Sequence, residues 1–393
     1  MTGKFDGMNS AQRARILAQD FAQRAADHDR HATFPVENFE ALKEANLLAL
    51  TVPAEYGGAG AGLAETCGVL GTVAQGDAST ALVLALHYLM HATITRSPRW
   101  PKRIRELVAH EAVKYGALIN ALRVEPELGT PARGGMPETI AERDAHGKGW
   151  RISGHKIYVT GIPLLSWLMV WARTAEDEPR VGTFLIPARA PGIRIVETWD
   201  HLGMRASASH DVIFEHTLIA EDHAVDIRKP AEWAERDDDQ AAWYVLGISA
   251  LYDGVARAAR DWLVTYLTER TPTALGAPLS TLPRFQEAVG QIDALLLTNR
   301  LLIESAATRT DRGTPAPTAE SGLIKMTVTT NAIAAVERAV ELTGNPGLSR
   351  ANDLERHLRD VLCSRIHTPQ NDSILIAAGR AAFKAAGRKG DHP

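Results

Sequence analysis

The chain has 393 residues, a formal net charge of −4 and 45% hydrophobic residues, enough apolar material for a large core and two or three domains. A pI near 6.4 gives no basic surplus for nucleic acid or an anionic membrane surface, so neither is expected as a partner. Two cysteines, Cys67 and Cys363, are too few for a disulfide framework or a cysteine zinc site, and a reducing, cytoplasmic setting without a structural metal is the simplest expectation. The opening "MTGKFDGMNSAQRARILAQDF" has no unbroken apolar core of the signal-peptide kind. No stretch approaches the roughly 18 apolar residues of a membrane span.

Residues 1–115 read as a helical domain. "AQRARILAQDFAQRAADHDR" and "FPVENFEALKEANLLAL" repeat apolar residues at three- and four-residue spacing, with Pro and Gly between them. "VPAEYGGAGAGL" is a glycine-rich loop, and the alanine-rich run after it has the length and apolarity of buried helices. Residues 116–230 change character. "GWRISGHKIYVTG", "SWLMVWART", "RVGTFLIPA", "GIRIVETW" and "SHDVIFEH" are short runs rich in Val, Ile, Thr and Trp, bounded by turn residues, as in a small antiparallel β-barrel or sandwich. From 231 to 393 helical spacing returns. Leu251, Val255, Ala258, Trp262 and Tyr266 fall on one helix face, Phe285, Val289, Ile292 and Leu296 on a second, and Ile333, Val336 and Val340 on a third, with "RTDRGTPAPTAESG" as linker between the last two. Helices, then a β insert, then a four-helix bundle define an α+β chain with crevices at its junctions, where cofactor sites tend to lie.

Several of these segments resemble the acyl-CoA dehydrogenase superfamily of flavoproteins, which includes a branch of two-component flavin monooxygenases. "VPAEYGGAGAGL" resembles the family loop P-E-x-x-G-G-x-G, and "RVEPELGT" the stretch T-E-P-x-x-G-S that opens the β-domain. "GWRISGHKIYVTG" resembles Y-x-I-N-G-x-K-x-W-I-T-N, "HLGMRASASHDVIFEH" resembles L-G-x-R-x-S-x-x-x-x-V-x-F-E, and "TERTPTALGAPLSTLPRFQEAVGQ" the arginine segment of the bundle. The resemblance implies an acyl-CoA dehydrogenase-like fold, an FAD cofactor (reduced FMN in the alternative), a homotetramer, and a hydrophobic small molecule or an acyl-CoA as substrate. A separate flavin reductase or an electron-transfer flavoprotein would be the redox partner. Tyr158, Thr160 and Gly161 would then meet the flavin ring, with Gly129 and Thr130 near its pyrimidine side or phosphates. Arg270 would reach the pyrophosphate across a dimer interface, and Gly344 would stand in the turn at the adenine end. Strand termination for Thr160 and core filling for Tyr158 are the plain structural roles for the same residues.

The dehydrogenase reaction needs a carboxylate base beside the thioester. The family keeps it either in a turn before the last helix, where this chain has "HTPQ" with Thr368 at the position, or 26 residues before the arginine, which falls here at Tyr244. Neither residue is a carbon-acid base. Asp372, or a residue of 235–244 such as Asp237 to Asp239, could stand in, although Asp372 equally suits a helix cap. The monooxygenase branch instead resembles this chain in "ERHLRDVLCSRIH", where His367 follows the Arg359-Asp360 pair by seven residues. "LHYLMHA" adds His87 and His91, four apart on one helix face, of which His91 is the candidate pocket residue. An imidazole there can hydrogen-bond an oxygen adduct of the flavin. Monooxygenation is the preferred expectation, with acyl-CoA dehydrogenation by a relocated base and a non-catalytic flavin- or thioester-binding role as alternatives.

Overall fold

A computed structural model describes residues 4–127, 136–233 and 237–389. The N-terminal layer comprises α1 (Ser10–His31), α2 (Val36–Glu44), α3 (Leu63–Gly76), α4 (Ala78–Arg96) and α5 (Lys102–Tyr115). Helix α1 starts at a reciprocal cap in which Asn9 accepts from the Gln12 N–H and the Gln12 side chain accepts from the Asn9 N–H. The Asp77 carboxylate takes the Ser79 and Thr80 N–H groups at the start of α4. Helix α4 is long and apolar enough to cross a membrane by length and composition, but 78% of the qualifying window is buried inside the protein, as in a core helix.

The middle region is one eight-stranded sheet in the order β6-β7-β3-β2-β4-β5-β8, with β1 also on β4. The strands are β1 (Leu118–Leu122), β2 (Ile140–Arg143), β3 (Gly149–Val159), β4 (Leu165–Thr174), β5 (Val181–Pro187), β6 (Ile193–Val196), β7 (His210–Ala220) and β8 (Ala224–Arg228). Most pairings are antiparallel, as the alternating strands imply, but β1 and β2 both run parallel to β4 and share one of its edges. β1 pairs along Leu165–Val170 and β2 only at Arg173 and Thr174. The sheet therefore opens where β1 leaves that edge. A buried polar cluster fills the opening: Lys156 Nζ, at 0% side-chain exposure, donates to Glu125 Oε1 at 2.6 Å and to the Trp171 carbonyl at 2.6 Å.

The C-terminal bundle is built from α6 (Asp238–Glu269), α7 (Pro283–Asp311) and α8 (Thr318–Thr343), with the short α9 (Asn345–Leu348), α10 (Leu354–Leu362) and α11 (Asn371–Lys389) against them. The core stripe on α6 runs through Leu251, Val255, Ala259, Leu263 and Leu267, while Ala258, Trp262 and Tyr266 of the expected stripe are only half-buried. The difference arises because α6 is packed on several sides, by α3 and α4 as well as α7 and α8, so no single face sets its pattern. Helix α3 crosses α6 so closely that a Cβ on Gly254 would sit 2.3 Å from the Gly71 carbonyl oxygen. Arg359 of α10 forks onto Asp29 of α1 at 2.9 and 2.6 Å, and Asp360 accepts the Met204 N–H at 2.7 Å. These bonds tie bundle, N-terminal layer and sheet together.

Candidate flavin and substrate site

One wall of the candidate site is the end of β3. Its pairing with β7 shifts register between Lys156 and Val159, and within that bulge Tyr158 takes φ +59°, a rare conformation for a bulky residue. The bulge turns the Tyr158 ring outward, where it is 54% exposed with Trp199 and His201 at its edge. Thr160 is buried behind it. Ser209 Oγ donates to Thr160 Oγ1 at 2.9 Å, Ser207 Oγ lies 2.8 Å from Ser209 Oγ, and Asn120 Nδ2 holds the Thr160 carbonyl at 3.1 Å. That order of donors leaves the Thr160 hydroxyl proton free for a ligand. Gly161 continues the turn at φ +79°, and a Cβ there would lie 2.8 Å from Val83 Cγ1 on α4.

The opposite wall is α6 with the turn that precedes α11. Here the two family positions for a base come together: the Thr368 side chain acts on the Tyr244 hydroxyl. Burial raises the Tyr244 phenol above its ordinary value, and the Thr368 bond and the Arg123 charge oppose this only in part. The His367 ring lies 5.8 Å from Tyr252. Burial, reinforced by the charge of Lys325, pulls its imidazole down to about 4, so it is neutral at physiological pH. The turn itself is held from below by Lys325, buried at 0% exposure, whose Nζ donates to the His367 carbonyl at 2.6 Å and the Pro369 carbonyl at 2.9 Å.

The histidine pair on α4 divides its roles. His87 Nε2 donates to the Leu48 carbonyl at 2.8 Å and its Nδ1 accepts the Ile119 N–H, so it is a fully engaged packing residue, pulled down to about 4 by burial. His91 lies edge-on to it at 4.6 Å, and its buried Nε2 has no hydrogen-bond partner. Asp372 is exposed at the start of α11, where its carboxylate accepts the Ser373 N–H at 2.8 Å. Arg270 is exposed at the C-terminal end of α6, and no ion pair engages it among the described residues. Gly344 closes α8 with open space around it. Gly129 and Thr130 lie outside the described residues. Asn120, Ser207 and Ser209 were missed by the sequence reading, although the "RASASH" run offered a signal in its alternating serines. Lys325 offered none, because its bonds span more than 40 residues of chain.

This three-layer architecture, with a hydroxyl-bearing strand end facing a helical bundle, is that of a flavoprotein oxidoreductase. The chain belongs to the acyl-CoA dehydrogenase family: it matches the acyl-CoA dehydrogenase N-terminal domain over residues 8–97, the middle domain over 124–217 and the C-terminal domain over 246–371. It is 33% identical to the putative acyl-CoA dehydrogenase YdbM of Bacillus subtilis, over 94% of this chain and 95% of that one. It is 31% identical to L-evernosamine nitrososynthase of a Micromonospora species, over 91% of this chain and 86% of that one. Among solved structures, KijD3 in complex with FMN and a dTDP-amino-keto sugar superposes with a TM-score of 0.81 at 26% identity, covering 100% of this chain and 97% of that one. Family membership makes the protein a flavin-dependent oxidoreductase.

The residues present fit a flavin. Tyr158 offers an uncovered aromatic face, the Thr160 hydroxyl has a proton to give, and the buried Tyr252 hydroxyl and His91 Nε2 have no protein partner. Replacing Thr160 by valine keeps the shape and removes that donor, so flavin affinity should fall about five- to tenfold. Fluorescence titration of the flavin reads this directly, and an unchanged dissociation constant would remove Thr160 from the site.

Proposed function

We propose that the protein is the oxygenase half of a two-component flavin monooxygenase acting on a small molecule. The observation that carries this reading is the Tyr244–Thr368 pair: both places where the family seats its glutamate hold hydroxyls, close enough to act on each other. A dehydrogenase needs a carboxylate there to take the α-proton, and Asp372 faces water instead. Likeness to a nitrososynthase and to FMN-bound KijD3 supports the same side. The net reaction consumes substrate, O2 and a two-electron-reduced flavin, FMN or FAD, from a separate reductase, and yields oxygenated substrate, water and oxidised flavin.

When bound, the reduced flavin supplies the electrons that activate O2. Tyr158 and Thr160 hold and orient the ring edge. His367, neutral and half-buried, donates a single hydrogen bond on the oxygen side and moves one proton through its ring nitrogen. Tyr244, Thr368 and Tyr252 close the substrate space. Exposed Leu375, Ile376 and Phe383 on α11 support assembly with further copies, and Arg270 would then serve a neighbour's flavin phosphates.

The test is to mix the protein carrying reduced flavin with aerated buffer and follow hydrogen peroxide. Wild type should retain the oxygen equivalent and release peroxide late, whereas His367→Ala should release it several-fold faster. Equal release rates in the two would contradict the reading.

A further inference from the structure

Arg123 stands directly after β1, at the point where the sheet opens, and its guanidinium lies on the Trp171 ring at 4.5 Å. Trp171 is braced edge-on by Trp233 at 4.6 Å, so the cation sits on a rigid aromatic shelf. Arg123 is exposed to solvent along its side chain, and its charge is felt at the Tyr244 phenol of α6. Among the described residues no carboxylate pairs with it. Three other arginines of the sheet are paired: Arg143 with Glu221, Arg151 with Asp144, Arg228 with Asp226. Glu125, two residues on, is no substitute, because its oxygens are occupied by Lys156, Thr139 and the Glu138 N–H.

The nearby charges make the contrast sharper. Lys156 and Lys325 are both buried cations behind the cleft walls, and the groups opposite Arg123 are the hydroxyls of Tyr244 and Thr368. A guanidinium with no acid partner among the described residues, seated on an aromatic shelf and with its charge felt at the Tyr244 hydroxyl, is a seat for an oxyanion, which accepts from such donors. Such a seat adds a charged contact to the hydrophobic small molecule that the resemblance implies as substrate.

We propose that the substrate carries a small oxyanion (a carboxylate, or a sulfur or phosphorus oxyanion), and that Arg123 is the specificity-determining residue that docks it against Tyr244 and Thr368. This deepens the reading above by naming the substrate class for the same cleft. The site then orients the rest of the substrate toward the Thr160 side, since Asn120, three residues before Arg123, holds the Thr160 carbonyl.

The test is calorimetric titration of the full chain, with oxidised flavin bound, using hexanoate, hexanesulfonate and hexyl phosphate against neutral hexanol and hexanamide. At least one anion should bind about tenfold or more tighter than the neutral chains, and which one wins separates the planar carboxylate from the tetrahedral anions. Arg123→Gln should abolish that preference while its thermal unfolding stays that of wild type, and Arg123→Lys should restore part of it. Neutral compounds binding as tightly as anions, no binding of any anion, or an anion preference that survives Arg123→Gln would overturn the proposal. So would an Arg123→Gln variant that shifts only the flavin reduction potential, since that would assign the cation to the cofactor. Calorimetry needs no turnover. Anion binding without oxygen chemistry would therefore refute the monooxygenase reading and leave the oxyanion seat standing.

Discussion

Replacing Glu125 by alanine is expected to cost about 3–5 kcal/mol of folding stability, the range for breaking one half of a buried, hydrogen-bonded ion pair. Burial works against the Glu125 carboxylate, but bonds from Lys156 and Thr139, with the Glu138 N–H, outweigh it and hold its pKa below the ordinary carboxylate value. The alanine variant would leave Lys156 buried beside only the Trp171 carbonyl, and would orphan Thr139 and the Glu138 N–H as well. Glu125→Gln keeps the shape and should lose less, and adding Lys156→Met to Glu125→Gln should recover much of the loss. Chemical denaturation of the three variants reads the series. Because Lys156 lies two residues before Tyr158 on β3, the alanine variant should also retain flavin poorly. Wild-type stability in Glu125→Ala would show that the opening in the sheet is held by something else.

Mild acid should have the next largest effect. Burial, the leading cause in each case, holds His87 and His367 down to about 4 and His357 to about 3, and moves His91 the same way. Like-charged neighbours add to it: His87 for His91, Arg356 for His357, Lys325 for His367. In the unfolded chain these rings titrate near 6.5, so between about 6.5 and 4 the unfolded state binds protons that the native state refuses. Their contribution to stability is complete above 6.5 and is lost as pH falls through that window. Asp360 acts in the opposite sense. Burial raises its carboxyl to about 7, so it favours the native state at low pH and loses that contribution as pH rises through 7. Four histidines outweigh one aspartate, and the net loss from pH 7 to pH 5 is on the order of 3–5 kcal/mol. Urea midpoints at the two pH values test this, since most carboxylates still retain their charge at pH 5. A midpoint that stays constant would mean that the buried rings are hydrated or charged in the native protein.

Much of this architecture was legible because its signals are local. The run "GWRISGHKIYVTG" alternates as a strand should, and β3 occupies Gly149–Val159; Phe285, Ile292 and Leu296 mark the buried face of α7 as their spacing requires. The α6 stripe was read only approximately, because a helix packed on several sides buries more than one face. The linker also proved shorter than its composition suggests: α7 extends to Asp311 and α8 begins at Thr318. In the candidate site, Thr368 and Tyr244 were recognisable as the places where a base is missing, but their proximity joins residues 124 apart in the chain and leaves no trace in either segment. The same holds for Arg123. As one arginine before a Val-Glu-Pro run it looks like a surface charge, and only the departure of β1 from β4 and the shelf of Trp171 give it a ligand-facing role.

The central claim is that the two family positions for the base, held here by Tyr244 and Thr368, do not take an α-proton from an acyl thioester. Its most direct measurement is the absorbance of the oxidised flavin, followed without oxygen, as the loaded protein meets a series of short to long acyl-CoA compounds. The account predicts an unbleached flavin throughout, followed by oxygen-dependent reoxidation once the flavin is reduced chemically and air is admitted. Bleaching by any acyl-CoA at a catalytic rate would contradict it.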